Sequence, residues 1–381
     1  MGRTSLRTSL CDTLRIQYPI ILAGMGFVSG PALTAAVSNA GGLGVLGAAS
    51  FTPEELRQLI RRTKTLTDKH FGVDAPVLQF PDLSPDATEE TLRAEMPPEA
   101  VAFAERFGEM AGIPKVRGKS GLRALSVEVT RQWFQVAIEE RVPVFVTGAG
   151  DPSWMVPKAR DAGMVLMSCV GLVRHARRLA ANGVNVIIAQ GSEAGGHTGR
   201  IGTMPLVPQV VDAVRPVPVV AAGGIADGRG LAASLALGAV GVWLGTVFVA
   251  SEEAFLEAVE FGQMPQWEVD FWKRRILETT EDGTVITRVP DGKTLRLIKN
   301  RFEENWLKMG GPLLNTPRQG VLLADLVEGV RRSKMEEYLF PVAGQIGGML
   351  TKIRPAGDIV RQIAEEAIEI MEKLEGTIGP L

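Results

Sequence analysis

At 381 residues the chain is long enough for one large or two ordinary domains, and either can bury a substantial core. Its 41 Lys and Arg nearly cancel 43 Asp and Glu, which argues against a nucleic-acid or anionic-membrane partner. Two cysteines, Cys11 and Cys169, and three histidines supply neither a disulfide framework nor metal-ligand spacing, so no metal is expected.

The opening residues MGRTSLRTSL lack the apolar core of a signal peptide, and Leu6 stands where a myristoylation signal at Gly2 would need Ser or Thr. No apolar run approaches the length of a membrane span. A cytoplasmic setting is the expectation.

Tyr18 to Ala23 is a short apolar run closed by Gly24-Met25-Gly26. A helix over Pro31 to Ala40 follows, ended by Gly41 and Gly42, and Leu43 to Leu46 starts the next strand. The letters GLGVLG from Gly42 to Gly47 match G-x-G-x-x-G. They include a strand where the dinucleotide fingerprint must follow one and open a helix, so the match is discarded. Thr52, Pro53 and Glu55 form a capping box, starting a helix that runs to about His70, a surface residue at the junction. Phe71 to Asp74 is the third strand. Residues 74–121 are then interrupted by Pro76, Pro81, Pro85, Pro97, Pro98 and Pro114 and read as an irregular insertion with one helix between Pro98 and Met110.

The alternation resumes with a helix from Val127 to Arg141 and a strand from Val142 to Thr147. A helix from Pro152 to Ala162 and a strand from Met164 to Cys169 come next. The helix from Leu172 to Ala181 stops at Asn182-Gly183 and carries His175 as a packed or boundary residue. Val184 to Ile188, Val217 to Ala222 and Ala239 to Leu244 complete eight strands alternating with helices. The fold class is therefore α/β, with a (β/α)8 TIM barrel over residues 1–250 and an open doubly wound sheet as the competitor. Residues 251–340 read as a mainly helical second domain with a hairpin around Thr284 to Arg288. Residues 341–381 read as a C-terminal segment docking back on the barrel. Its last helix has Asp358 as N-cap and Ile359, Ile363, Ala367, Ile370 and Leu374 on one stripe.

The chemistry concentrates at Ala189 to Arg200, AQGSEAGGHTGR, where a buried strand turns glycine-rich and His197 closes the turn. Glycine lets bare backbone approach a ligand, and the carboxyl ends of parallel strands are where such folds build sites. Gly195 and Gly196 could equally supply only a tight turn, with His197 on the surface. The last two strands end in Gly223-Gly224 and Gly245-Thr246, a pair of corners suited to a phosphate through backbone N–H groups, with a hydroxyl donor from Thr246. The glycines could also serve close helix packing. Arg229 is the one cation in either corner, so backbone carries the binding. That favours the phosphate of a larger cofactor, and flavin mononucleotide (FMN) fits better than a free dinucleotide.

Three blocks together, Leu22 to Gly47, Ala189 to Gly199 and Ala221 to Phe248, resemble the nitronate monooxygenases, formerly 2-nitropropane dioxygenases. The segment KNRFEENW, Lys299 to Trp306, looks like the family's second domain. The resemblance implies FMN at the barrel mouth, contacted by Ala23, Gly24 and Met25, by Asp74, by Gln190, Gly195 and Gly196, by Gly223 and Gly224, and by Trp243, Leu244, Gly245 and Thr246. It implies His197 as the catalytic residue, and neutral imidazole can take a proton from a carbon acid or hydrogen-bond an oxyanion. The implied reaction joins a nitronate or nitroalkane with dioxygen to give a carbonyl compound and nitrite. The family often has Asn where this chain has Asp74 and Gln where it has Trp243, and a carboxylate there would disfavour a reduced anionic ring.

Enoyl-acyl carrier protein reductases of the same barrel type tend to show ESGGH, against Glu193-Ala194-Gly195-Gly196-His197 here, a one-residue lean toward the monooxygenases. NAD(P)H-dependent quinone reductases stay open, as does a flavin-binding protein without turnover. Inosine-monophosphate-type barrels need a cysteine after the sixth strand, and none follows Gln190. The assembly state is open, a homodimer being one option.

Overall fold

The computed structural model of the protein describes residues 6–77, 80, 83–84, 87–120 and 127–377. Gly2, Pro81, Pro85 and Gly121 lie outside them. Short runs of Val, Ile and Leu, too short to be helices and buried on both faces, set the parallel strands. In chain order these are β1 (Ile20–Leu22), β2 (Gly44–Gly47), β3 (Phe71–Asp74), β4 (Val144–Thr147), β5 (Val165–Val170) and β6 (Val186–Gln190). A two-residue β7 (Gly196–His197) precedes β8 (Val219–Ala222) and β9 (Gly241–Leu244).

Eight of these, all but β7, form one parallel sheet in the order β1-β9-β8-β6-β5-β4-β3-β2. Its two ends meet. Ile21 bridges to Leu43, with Leu22 N–H donating to Leu43 O and Leu43 N–H donating to Ile20 O, each at 2.9 Å. The sheet is thus a nearly closed barrel alternating with helices, as the run of β-α units implied.

Alternate residues of each strand face opposite sides. Ile21, Val45, Val146, Met167, Ile188, Val220 and Trp243 point inward. Ile20, Leu46, Val73, Phe145, Ile187, Ala221 and Leu244 point outward against the helices. The first helix, Ser9–Leu14, was not expected; its Leu10, Cys11 and Leu14 are fully buried and join the inner cluster, plugging the end where the strands start. Each such aliphatic side chain contributes roughly 1.5–3 kcal/mol by leaving water.

The capping box is present as expected, Thr52 Oγ1 accepting from Glu55 N–H and Glu55 accepting from Thr52 N–H. The helix it starts, Pro53–Leu66, stops short of His70. His70 is half-buried with Nδ1 3.0 Å from Leu14 O, so it belongs to the plug rather than the surface, and burial holds its pKa low.

The described residues of 74–121 hold two helices, Glu89–Ala94 and Pro98–Ala111, where one was expected. Leu92, Ala104 and Phe107 share one apolar cluster with Phe271, Phe302, Trp306 and Val321, and the Phe107 and Trp306 rings meet edge to face with centroids 5.1 Å apart. The hairpin is formed by β10 (Thr284–Thr287) and β11 (Leu295–Ile298). The last helix, Ala356–Glu375, begins at Pro355 rather than at Asp358, which sits in its first turn. Proline at the entry fixes φ and takes over the start. Ile359, Ile363 and Ala367 are buried, whereas Leu374 is exposed. No helix among the described residues is long and apolar enough to cross a membrane.

That last helix crosses helix Gly228–Ala236 at very close range. A Cβ on Gly228 would stand 2.4 Å from the Ala367 nitrogen, and Gly228 N–H donates to Glu366 Oε2 at 3.0 Å. Gly228→Ala is expected to push the helices apart and lower stability by about 1–3 kcal/mol. A drop in melting temperature reports it; an unchanged value would show that the helix does not dock there.

Candidate functional site

The carboxyl ends of the barrel strands converge on one rim built largely of bare backbone. After β1, Gly24 passes so close to β3 that a Cβ on it would lie 2.2 Å from Asp74 Cβ. The fully buried Ser29, absent from the sequence-based set, clamps this turn: its Oγ accepts from Met25 N–H at 3.0 Å and donates to Ala23 O at 2.8 Å. Gly245 faces the same turn, with Met25 Sδ 3.5 Å from where its Cβ would be.

Gly223 and Gly224 both take left-handed φ, 91° and 72°, which side-chain-bearing residues rarely adopt. Their N–H groups and that of Gly245 have no acceptor among the described residues. Arg229 is held by Asp227, Nε to Oδ2 at 2.9 Å, so its guanidinium is already paired. A phosphate suits such a place, since it brings several acceptor oxygens to unpaired amides. Thr246 Oγ1 accepts from Gly344 N–H at 2.8 Å, leaving its hydroxyl proton free to donate. Gly344 was not foreseen. A Cβ on Gly195 would meet the Ala343 and Gly344 backbone at 2.7 Å, so the 343–345 segment lies between the histidine loop and Thr246.

The expected residues do not all present their side chains there. Trp243 points into the barrel interior beside Ile21 and Ala222, and Leu244 points outward into the helical layer. The Trp243 ring shares its cluster with Ala23 and Met25 of the turn after β1. Gln190 is held at both ends of its amide: Nε2 donates to His197 O at 2.7 Å, and Oε1 accepts from Cys169 Sγ at 3.5 Å. It fixes the histidine loop to the end of β6. Burial first, and the nearby Asp74 second, push the Cys169 thiol up to about 12, so it is a thiol and not a nucleophile.

His197 lies in β7, which pairs antiparallel with β11 (His197 opposite Leu295), so the second region's hairpin adds to the histidine loop. Buried Arg296 pins the join, Nε donating to Ser192 O at 2.9 Å and Nη1 to Thr284 Oγ1 at 2.8 Å. The half-exposed imidazole places Nε2 2.6 Å from Asp291 Oδ2. Nothing local in the sequence tied Asp291 to His197; the two are 94 positions apart. His175 is half-buried on helix Val173–Ala181, its pKa lowered by burial and then by Arg174 and Arg178, and no hydrogen bond among the described residues joins it to the rim.

Asp74 is 7% exposed, and Oδ1 accepts from Gly148 N–H at 2.9 Å. Burial outweighs that bond and drives the carboxyl from 3.8 up to about 7. Near neutrality much of it is a neutral acid, which removes much of the charge that would oppose a reduced anionic ring. An unfolded chain releases this proton near 3.8 and the folded chain near 7. The proton-bound form therefore contributes stability that is full below about pH 4 and is lost as pH rises to about 7, on the order of 4 kcal/mol at most. Asp74→Asn keeps the acceptor and removes the titration. Its melting temperature relative to the parent is expected to rise from pH 4 to 7 and level off above 8; a difference flat across that window would contradict a buried, neutral Asp74.

A family model described as nitronate monooxygenase matches residues 7–366. A Staphylococcus aureus protein named probable nitronate monooxygenase is 31% identical, over 96% of this chain and 99% of its own. A Mycobacterium tuberculosis protein named (3aS,4S,5R,7aS)-5-hydroxy-7a-methyl-1-oxo-octahydro-1H-indene-4-carboxyl-CoA dehydrogenase is 34% identical, over 78% of this chain and 68% of its own. Among solved structures, nitroalkane oxidase from Streptomyces ansochromogenes superimposes with a TM-score of 0.77 at 29% identity, covering 96% of this chain and 99% of that one.

Proposed function

The chain belongs to the nitronate monooxygenase family and is a flavin-dependent oxidoreductase, and from that premise we propose that it binds FMN and oxidises alkyl nitronates with dioxygen to a carbonyl compound and nitrite. The observation that carries the reading is the rim itself, where unpaired amides at two glycine corners lie on the same barrel end as a histidine loop. FMN, when bound, supplies the electron transfer between substrate and dioxygen.

This chain's residues do the rest. In this reading the N–H groups of Gly223, Gly224 and Gly245, with the Thr246 hydroxyl, take the phosphate. Gly24, Gly195 and Gly196 offer backbone without side chains to obstruct a planar ring, Ala23 and Met25 offer the backbone of the turn after the first strand, and Asp74 offers a carboxyl that is partly neutral near pH 7. Gln190 holds the His197 loop in place through the His197 carbonyl. His197 accepts a proton from the carbon next to a nitro group when the substrate arrives neutral, and orients the anion when it arrives as a nitronate. We read residues 1–250 as the cofactor-holding unit and 251–340 as a second domain that supplies the hairpin.

The dehydrogenase name of the Mycobacterium tuberculosis relative favours one second reading, a nicotinamide-dependent reductase or dehydrogenase of a thioester-linked substrate. Anaerobic mixing separates the two. Loss of the flavin's visible absorbance with nitronate alone, followed in air by oxygen uptake and nitrite release, is the expected result. Bleaching by NADH or NADPH with no response to nitronates would replace this reading by the second. His197→Asn is expected to keep the flavin and lose about 10²-fold or more in turnover of neutral nitroalkanes; equal turnover would remove the histidine from the chemistry.

A further inference from the structure

The carboxylate of Asp291 is held as firmly as the ring it meets. Its backbone carbonyl accepts from Thr316 Oγ1 at 2.6 Å, and its Oδ1 accepts from Lys293 N–H at 2.9 Å. The turn is closed by Gly292, whose N–H donates to Arg288 O at 2.8 Å while Arg288 Nε donates back to Gly292 O at 2.9 Å. Gly292 has φ of 85°, and a Cβ there would stand 2.3 Å from Leu314 O, so the turn admits little variation. With Oδ1 engaged, Oδ2 is the oxygen presented to His197 Nε2. The strand register supports the aim: His197 stands opposite Leu295, and Thr198 N–H donates to Thr294 O at 3.3 Å. The other ring nitrogen, Nδ1, has no partner among the described residues.

We propose that Asp291 is a positioning residue for His197, fixing the ring proton on Nε2 and leaving the Nδ1 lone pair as the base toward substrate. Which imidazole nitrogen carries the proton follows from the hydrogen bond the other makes, and an acceptor-only carboxylate selects N–H at Nε2. With a neutral nitroalkane the C–H bond next to the nitro group breaks, its electron pair stays with the substrate as the nitronate, and the proton forms a bond to Nδ1. The imidazolium so formed sits against the Asp291 carboxylate, and the transfer leaves the net charge of ring, carboxylate and substrate unchanged. A substrate already supplied as nitronate needs no such step. The proposal rests on the reading of His197 as the proton acceptor, and it adds a residue from the hairpin to a site made mostly by the barrel.

Two measurements on the flavin-loaded protein test it. In 15N-histidine NMR at neutral pH, with His197→Asn identifying the signal, His197 is expected as the Nε2–H tautomer. Asp291→Asn and Asp291→Ala should redistribute the proton between the nitrogens. A ring protonated at Nδ1 in the parent, or a tautomer unmoved in both variants, would overturn the proposal. In steady-state turnover, Asp291→Asn is expected to lose at least about tenfold more kcat/KM on a neutral nitroalkane than on its preformed nitronate. Equal losses on both, as from a merely structural contact, would also overturn it. If the parent consumes neither substrate, the proposed function falls while the NMR result still decides the pairing of Asp291 with His197.

Discussion

Everything at the working end of this molecule depends on a backbone pairing two residues long. Gly196 and His197 add to the edge of the β10–β11 hairpin, and by doing so fasten the tip of a glycine-rich loop whose base is held by Gln190 and by Glu193 on Thr203. A loop containing Gly191, Gly195, Gly196 and Gly199 pays a large entropic cost on ordering. The hairpin offsets that cost with ladder bonds, the buried Arg296 and the Asp291 contact. The barrel provides position and the later region provides constraint.

The rim works by omission. Gly24, Gly195, Gly223 and Gly245 leave backbone exposed where a Cβ would collide or obstruct, and what they expose is N–H donors rather than cations. Such a surface takes an anionic group without surrounding it with fixed positive charge. Burial of Asp74 fits the same logic, because a low-dielectric surrounding and a single N–H partner favour its uncharged form. The position where the family resemblance leads one to expect an amide is thus filled by an acid that is partly protonated near neutrality.

The barrel was legible because its information is local. Eight short apolar runs with helical stretches between them admit few arrangements, and Phe71–Asp74 was delimited to the residue by glycine and charge around it. The glycine corners were legible for the same reason, since a left-handed φ leaves a mark in the sequence. Gly344 and Asp291 were not, because each meets the rim through contacts more than ninety positions along the chain. The Ser29 hydroxyl bonds to nearby Ala23 and Met25, but a lone serine after a glycine turn carries no distinctive mark. Trp243 and Leu244 were placed at the site by the family resemblance of the segment that ends in Gly245-Thr246. Strand alternation then turned one side chain into the barrel and the other out of it. Leu374 followed the helical period past the point where the barrel ends, and so faces water.

The most direct measurement of the central claim is a crystal structure of the purified, coloured protein. The account predicts FMN across the carboxyl end of the barrel with its phosphate on the amides of Gly223, Gly224 and Gly245, and the His197 ring, still joined to Asp291, facing the isoalloxazine. A flavin bound elsewhere, or an imidazole turned away from it with Asp291 unpaired, would contradict it.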